Sequence, residues 1–398
     1  MHRDDDEALP APDEQAAAHS RALRKRIDAA IAMAGGVLDF AEYMALALYA
    51  PGLGYYSAGQ QRFGAEGDFT TAPLMSDLFA HTLAGEVAEV LGRVDDGVVL
   101  EFGAGTGRMA ADMLIALDEA GAVPRQYWIL EVSADLRARQ AETVKTLPAH
   151  LQSRIEWLDR LPSAPIHGVI LANEVMDAMP VRCFERTDSG VQMLGVGHDD
   201  AGALCWRPRA ADAALASAVA DIEQHIGDRL PAGYRSEWCP GLAPWVAELS
   251  SILAAGAAFL IDYGYPRREY YHPQRGAGTL LCHYRHRAHD DPFFWPGLQD
   301  ITASVDFTAA AAAGRAAGLT LLGFSTQGNF LAGAGLPALI ERRAGGDPQR
   351  AAELAQQAKP LLFPDELGER FKVLGLGRGM DHIPSGFGFA DHRARLSV

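Results

Sequence analysis

Residues 100–109, LEFGAGTGRM, set an acid, Glu101, near the end of an apolar run and then a glycine at every second position, Gly103, Gly105 and Gly107. Glycine at that density marks a backbone that must turn where a Cβ is not tolerated, or that another group must approach closely. The run before it, GVVLEFG (97–103), is short and continuously apolar, as in a strand buried on both faces of a parallel sheet. The run after it, RMAADMLIALDEAG (108–121), has helical spacing and ends in glycine. The loop therefore joins a buried strand to a helix, the place where open α/β sheets take their ligands.

Two ligand classes compete for such a loop, a dinucleotide and S-adenosyl-L-methionine. The dinucleotide fingerprint is G-x-G-x-x-G. Here the third glycine arrives one residue early, and Arg108 stands where that motif wants glycine. Glu101, two residues before the first glycine, suits a methyl donor, because its carboxylate can reach the ligand's ammonium. Gly103, Ala104, Gly105 and Gly107 then line the methionine and ribose parts, with no pyrophosphate to neutralise.

The rhythm continues with strands at QYWILEV (126–132), RIEWLD (154–159) and HGVILANEV (167–175), separated by helices, which predicts a doubly wound parallel sheet. Glu131 and Val132 end the second strand, where an acid can accept both ribose hydroxyls. Asp159 ends the third, placed for the adenine amino group. Asn173 and Glu174 end the fourth. These acidic or polar strand ends in register carry more than one glycine loop does.

Residues 1–17 read as a disordered acidic tail, and residues 18–92 as an N-terminal helical region carrying a loop, GDFTTAP (67–73), that acts as a cofactor lid through Phe69, Thr71 and Pro73. Residues 93–398 read as the core, with inserts at about 181–255 and 265–306. The first insert opens with a hairpin around Asp188-Ser189-Gly190; the second reads as polar and aromatic loop. AAFLIDYG (257–264), LTLLGFST (319–326) and RFKVLGLGR (370–378) supply the remaining strands.

Composition narrows the function. A net charge of −16 argues against broad nucleic-acid binding, which needs a basic face. The four cysteines stand far apart and form no CxxC pair, so no zinc knuckle or redox motif is expected. His283, His286 and His289 hint at metal, but methyl transfer needs none and no metal is expected. No secretory or membrane-spanning run occurs, and the acidic start is unlike an Arg-rich presequence, so a cytoplasmic protein is expected. Oligomeric state stays open, a homodimer being one reading.

Four separated segments, GYYSAGQQRFGAEGDFTTAPLMSDLFA (54–80), LEFGAGTGRMAADML (100–114), ANEVMDAMPVRCFE (172–185) and WPGLQDITASVDFT (295–308), together resemble the MidA-like SAM-dependent methyltransferases over about residues 35–380. That family includes a mitochondrial complex I assembly factor that methylates an arginine of a complex I subunit. The resemblance implies a class I, Rossmann-like methyltransferase fold, an α/β architecture with a seven-stranded, mostly parallel sheet, an N-terminal helical region and inserted elements on the substrate side. It implies S-adenosyl-L-methionine as cofactor, a protein arginine as acceptor and a link to respiratory complex assembly.

For that chemistry a carboxylate pair can grip the guanidinium and favour charge on the nitrogen that does not attack. Glu174 and Asp177 share one face if a helical turn begins there, and Asn173 can orient the nucleophile; these three are the expected catalytic residues. Tyr265, Tyr270 and Tyr271 could wall a substrate groove, Arg267 and Arg268 could meet a partner's acids, and Asp300 or Asp306 could line the acceptor site. The alternatives are a non-catalytic assembly factor that keeps the fold and binds a partner protein, a small-molecule methyltransferase, and an NAD-dependent oxidoreductase.

Overall fold

The protein is described by a computed structural model over residues 9–57 and 71–398. The chain forms two compact units. A sheet unit comprises Thr70–Met176, Ala243–Gly264 and Phe307–Val398; an insert unit comprises Met1–Phe69, Asp177–Leu242 and Tyr265–Asp306.

Among the described residues, seven strands form the main path of an eight-stranded sheet: β1 (Val98–Phe102), β2 (Gln126–Leu130), β3 (Ile155–Leu158), β4 (Ile166–Asn173), β5 (Leu253–Tyr265), β6 (Thr320–Thr326) and β7 (Phe371–Arg378), in the spatial order β6-β7-β5-β4-β1-β2-β3, with the two-residue strand Val305–Asp306 paired to β5 off that path. The pairs from β3 through β5 are parallel, while β7 runs antiparallel to both β5 and β6. All five residues of β1 are buried, as its unbroken apolar run requires. The chain leaves β1 toward β2 on one side and later returns to lay β4 on the other. Its carboxyl end therefore lies at the point where strand order reverses, which opens a crevice for a ligand.

Three helices position that crevice: α1 (Asp77–Leu91), α2 (Arg108–Glu119) and α3 (Ala134–Val144). Helix α1 is capped by Ser76, whose hydroxyl accepts from the Leu78 N–H at 3.2 Å, and buries Phe79, Leu83, Val87 and Val90 along one stripe. It packs with Met113, Leu114 and Leu117 of α2 in the same core as Val99, Tyr127 and Ile129 of the sheet. Helix α1 thus belongs to the sheet unit, and the unit boundaries do not coincide with the expected division at 92/93.

In the insert unit, helices Glu14–Met33 and Phe40–Tyr49 carry side-chain caps from Asp13 and Asp39. The first begins at Glu14, which corrects the expectation of disorder through residue 17; an Asp cap followed by an alanine-rich amphipathic run suffices to start a helix there. The expected hairpin forms, with Gly190–His198 between Arg182–Thr187 and Leu204–Ala210, and Arg235–Trp238 completes a four-stranded antiparallel sheet. The second insert is not simply loop: Leu281–Tyr284 pairs with Arg287–His289 and with Asp300–Thr302.

The insert's tyrosines and arginine serve its own packing. Tyr270 and Tyr271 are buried rather than walling a groove. The buried Glu237 accepts from the Thr279 N–H and hydroxyl, and the Tyr271 hydroxyl donates to the Glu237 carbonyl at 3.0 Å. Arg267 pairs with Asp306 at 2.7 Å, and the buried Asp300 accepts from the Tyr56 hydroxyl. Among the described residues, no helix is long and apolar enough to cross a membrane.

Candidate functional site

The three glycines after β1 are all left-handed, with φ of +61° at Gly103, +53° at Gly105 and +79° at Gly107. That region is costly for residues with a Cβ, so the spacing follows from backbone geometry. Their surroundings differ. Among the described residues, a Cβ on Gly105 would meet nothing within 4 Å, whereas one on Gly107 would lie 3.1 Å from the Cα of Gln140. The third glycine therefore admits helix α3, while the second leaves a bare backbone facing the crevice. Ala104, buried between Gly103 and Gly105, accepts the Gly107 N–H at its carbonyl at 2.7 Å and closes the turn.

Two acids flank this loop. Glu101 is 1% exposed and accepts the Tyr127 hydroxyl at 2.7 Å. Burial pushes its carboxyl up to about 7; the tyrosine hydrogen bond acts in the opposite direction, and the charge of Glu131 adds to the rise. A carboxyl poised there is well matched to a cationic ammonium, whose arrival favours the ionised form. Glu131 is also buried and accepts the Ser133 N–H at 2.9 Å and the Gln140 side-chain amide at 3.1 Å. Burial raises its pKa as well, against the pull of these donors.

Beside it, Val132 is 82% exposed, an apolar side chain turned out where a flat apolar ring could cover it. Asp159 is exposed at the end of β3 and pairs with Arg137 at 2.7 Å. Arg137 also donates to the carbonyls of Glu131 and Leu158, each at 2.6 Å, and so ties the carboxyl ends of β2 and β3 together.

At the end of β4 the chain enters a different kind of turn. Glu174 has φ +54°, uncommon for a residue with a side chain, and its N–H donates to the Ile261 carbonyl at 2.9 Å. The Asn173 side-chain amide donates to the Glu174 carboxylate at 3.0 Å. Asn173 Oδ1 is buried and has no hydrogen-bond partner among the described residues. Asp262, fully buried on β5, accepts the Met176 N–H at 2.9 Å and so fixes the exit of this turn.

The expected helical turn at 174–177 does not form; the segment is bent and turned instead. The same-face argument for Glu174 and Asp177 therefore fails, and Asp177 falls in the insert unit, where it is buried. A left-handed Glu174 is incompatible with a right-handed helical start, and no pattern of residue types discloses that.

Of the expected lid, Phe69 lies outside the described residues. Thr71 precedes a short helix, Ala72–Met75, and Pro73 is buried in its first turn. The sheet unit thus brings Glu101, Gly103, Ala104, Gly105, Gly107, Glu131, Val132, Asp159, Asn173 and Glu174 to the carboxyl ends of adjacent parallel strands. Sequence reasoning passed over Tyr127, Arg137 and Gln140. Tyr127 is indistinguishable from any core aromatic of a strand. Arg137 and Gln140 sit in ADLRARQAETV, which reads as a polar surface helix.

A family model described as "Putative S-adenosyl-L-methionine-dependent methyltransferase" matches residues 82–325, which hold the glycine loop and the flanking strand ends. The mitochondrial protein arginine methyltransferase NDUFAF7 of Rattus norvegicus is 30% identical over 376 residues, covering 86% of this chain and 81% of that protein. Its Homo sapiens counterpart is 28% identical over 377 residues, covering 86% of this chain and 80% of its own. A crystal structure from Burkholderia thailandensis, bound to S-adenosyl-homocysteine, superposes with a TM-score of 0.92 at 44% identity, over 97% of this chain and 100% of that one. The expected cytoplasmic location is corrected by these relatives, which are mitochondrial proteins.

Proposed function

Because the chain belongs to the S-adenosyl-L-methionine-dependent methyltransferase family, we propose that its acceptor is an arginine side chain of a protein. The relatives named as protein arginine methyltransferases support this reading. The observation that carries it is the turn after β4, where a left-handed Glu174 stands beside an Asn173 whose buried Oδ1 lacks a donor. Such strain and such an orphan acceptor accumulate where a binding partner completes the geometry. The setting we propose is assembly of a respiratory complex with one of its subunits as acceptor, a reading that the family resemblance supports.

The bound cofactor supplies an electrophilic methyl on a sulfonium. The chain's residues do the rest. Gly103 and Gly105 let the backbone meet the ligand, Glu131 accepts the ribose hydroxyls, and Glu101 faces the ammonium. The exposed Val132 would cover an adenine face, and Asp159 would receive the adenine amino group. Glu174 accepts N–H groups of the incoming guanidinium and holds positive charge on the nitrogen that does not attack. Asn173 Oδ1 takes an N–H of the same group and turns the attacking nitrogen in line with the methyl–sulfur bond. The bound cofactor would supply the methyl and retain the departing electron pair on sulfur, and Glu174 would take the proton that the methylated nitrogen releases. Asp177 is not carried into this mechanism.

The test is incubation with methyl-labelled S-adenosyl-L-methionine and a protein extract, followed by acid hydrolysis and amino-acid analysis. Label in methylarginine is the expected result, lost in Glu174→Gln while S-adenosylhomocysteine still binds. Label in a small molecule alone overturns the arginine reading in favour of a small-molecule methyltransferase. Cofactor binding without any transfer points to a partner-binding assembly factor.

A further inference from the structure

Gln140 on α3 is fully buried, a placement that the polar helix around it does not announce. Its amide nitrogen donates to the Gly105 carbonyl and to the Glu131 carboxylate, each at 3.1 Å. Its amide oxygen accepts the indole N–H of Trp157 on β3 at 2.9 Å. One turn on, the Thr143 hydroxyl donates to the Thr106 carbonyl at 2.7 Å. Two successive carbonyls of the glycine loop are thus held from α3, and the same amide reaches the acid at the end of β2.

We infer that Gln140 is a positioning residue that couples the glycine loop to the ribose-binding carboxylate, so that the two halves of the cofactor site are held in register before the ligand arrives. This rests on the reading of Glu131 as the ribose acid. The chemistry needs an amide. Glu131 Oε2 and the Gly105 carbonyl both want a donor, while the Trp157 indole wants an acceptor, and a glutamine side chain offers both at once. Its two donated bonds go to the glycine loop and to the acid at the end of β2, its oxygen accepts from Trp157, and every polar atom of the group is matched, the condition under which a buried polar network rigidifies a site. A Cβ on Gly107 would lie 3.1 Å from the Gln140 Cα, so a side chain there would crowd the stretch of α3 that carries these contacts.

The test is calorimetric titration with S-adenosylhomocysteine from pH 5.5 to 8.5 of the wild type, Gln140→Glu, Gln140→Met and Trp157→Phe. In Gln140→Glu a second carboxyl faces Glu131, so the pair holds one proton at low pH and loses it at high pH. Binding is expected to fall at least tenfold at pH 8 and to recover toward wild type near pH 5.5, where the shared proton restores a donor. Gln140→Met, with no donor at any pH, is expected to bind weakly throughout. Trp157→Phe releases the amide oxygen without introducing charge, and is expected to weaken binding three- to tenfold with the fold intact. It keeps the inference open to refutation should the charged variant fail to fold. A pH-independent loss in Gln140→Glu equal to that of Gln140→Met, or affinity within threefold of wild type in Trp157→Phe and Gln140→Met, overturns it. Failure of the wild type to bind S-adenosylhomocysteine would sink the cofactor reading itself.

Discussion

The two ends of the crevice in the sheet unit are built on opposite plans. Around β1 and β2 every acid is occupied: Glu101 by Tyr127, and Glu131 by Ser133 and Gln140. After β4 the backbone is strained at a left-handed Glu174, and Asn173 Oδ1 is an orphan among the described residues. The first plan preorganises a site for a ligand of fixed shape, which repays rigidity with affinity. The second keeps hydrogen-bonding capacity and strain in reserve for a group that arrives and changes during reaction.

The contrast is open to being broken. The largest expected effect is at Gly105. Valine there would sit at φ +53°, at a backbone cost of roughly 1–3 kcal/mol, and would fill the open space facing the crevice. S-adenosylhomocysteine affinity should fall by about 100-fold or more, some 2.8 kcal/mol, in calorimetry of a variant whose circular dichroism is unchanged. Binding within tenfold of wild type would show that the ligand does not use this face.

A smaller effect is expected at Glu101, whose carboxyl burial has pushed up to about 7. A cationic ammonium favours its ionised form, so affinity should rise with pH between 5.5 and 7.5, by up to about tenfold per unit below the pKa, and level off above it. Glu101→Gln should flatten that rise. The same shift has a stability sign. A raised carboxyl pKa contributes stability that is fully present below the unfolded value of 4.5 and is lost as pH rises through about 7. The apo protein's melting temperature should therefore decline across that window, less so in the glutamine variant. A slope that survives in Glu101→Gln would assign the proton to another group.

The smallest effect sharpens the second plan. Glu174→Gly removes a left-handed side-chain penalty of about 1–2 kcal/mol and adds roughly 0.5–1 kcal/mol of backbone entropy cost. A net change in stability between zero and a gain of about 1.5 kcal/mol is expected, with methyl transfer lost. A destabilised variant would mean that Glu174 is held for the fold and not for the acceptor.

The sheet was legible because its strands are continuous apolar runs closed by Glu101, Glu131 and Asn173, and a period that local does not depend on the rest of the chain. The second insert was opaque for the opposite reason. Its short strands are specified by pairing and by the buried Glu237 that gathers Thr279, so Tyr270 and Tyr271 looked available when they are core. Glu174 and Asp177 show the same limit. Three-residue spacing places two side chains on one face only where the backbone is helical, and a single left-handed residue cancels it.

What the amino-acid order determined by itself is the alternation of buried strands and helices, the left-handed glycine loop and the acids that close the strands, since each follows from neighbours along the chain. Which of those acids is saturated, which is exposed, and that a glutamine in a polar helix joins the loop to Glu131, only the tertiary structure decided. Those properties arise where β1, β2, β3 and α3 converge, and burial and hydrogen bonding there depend on residues distant in sequence.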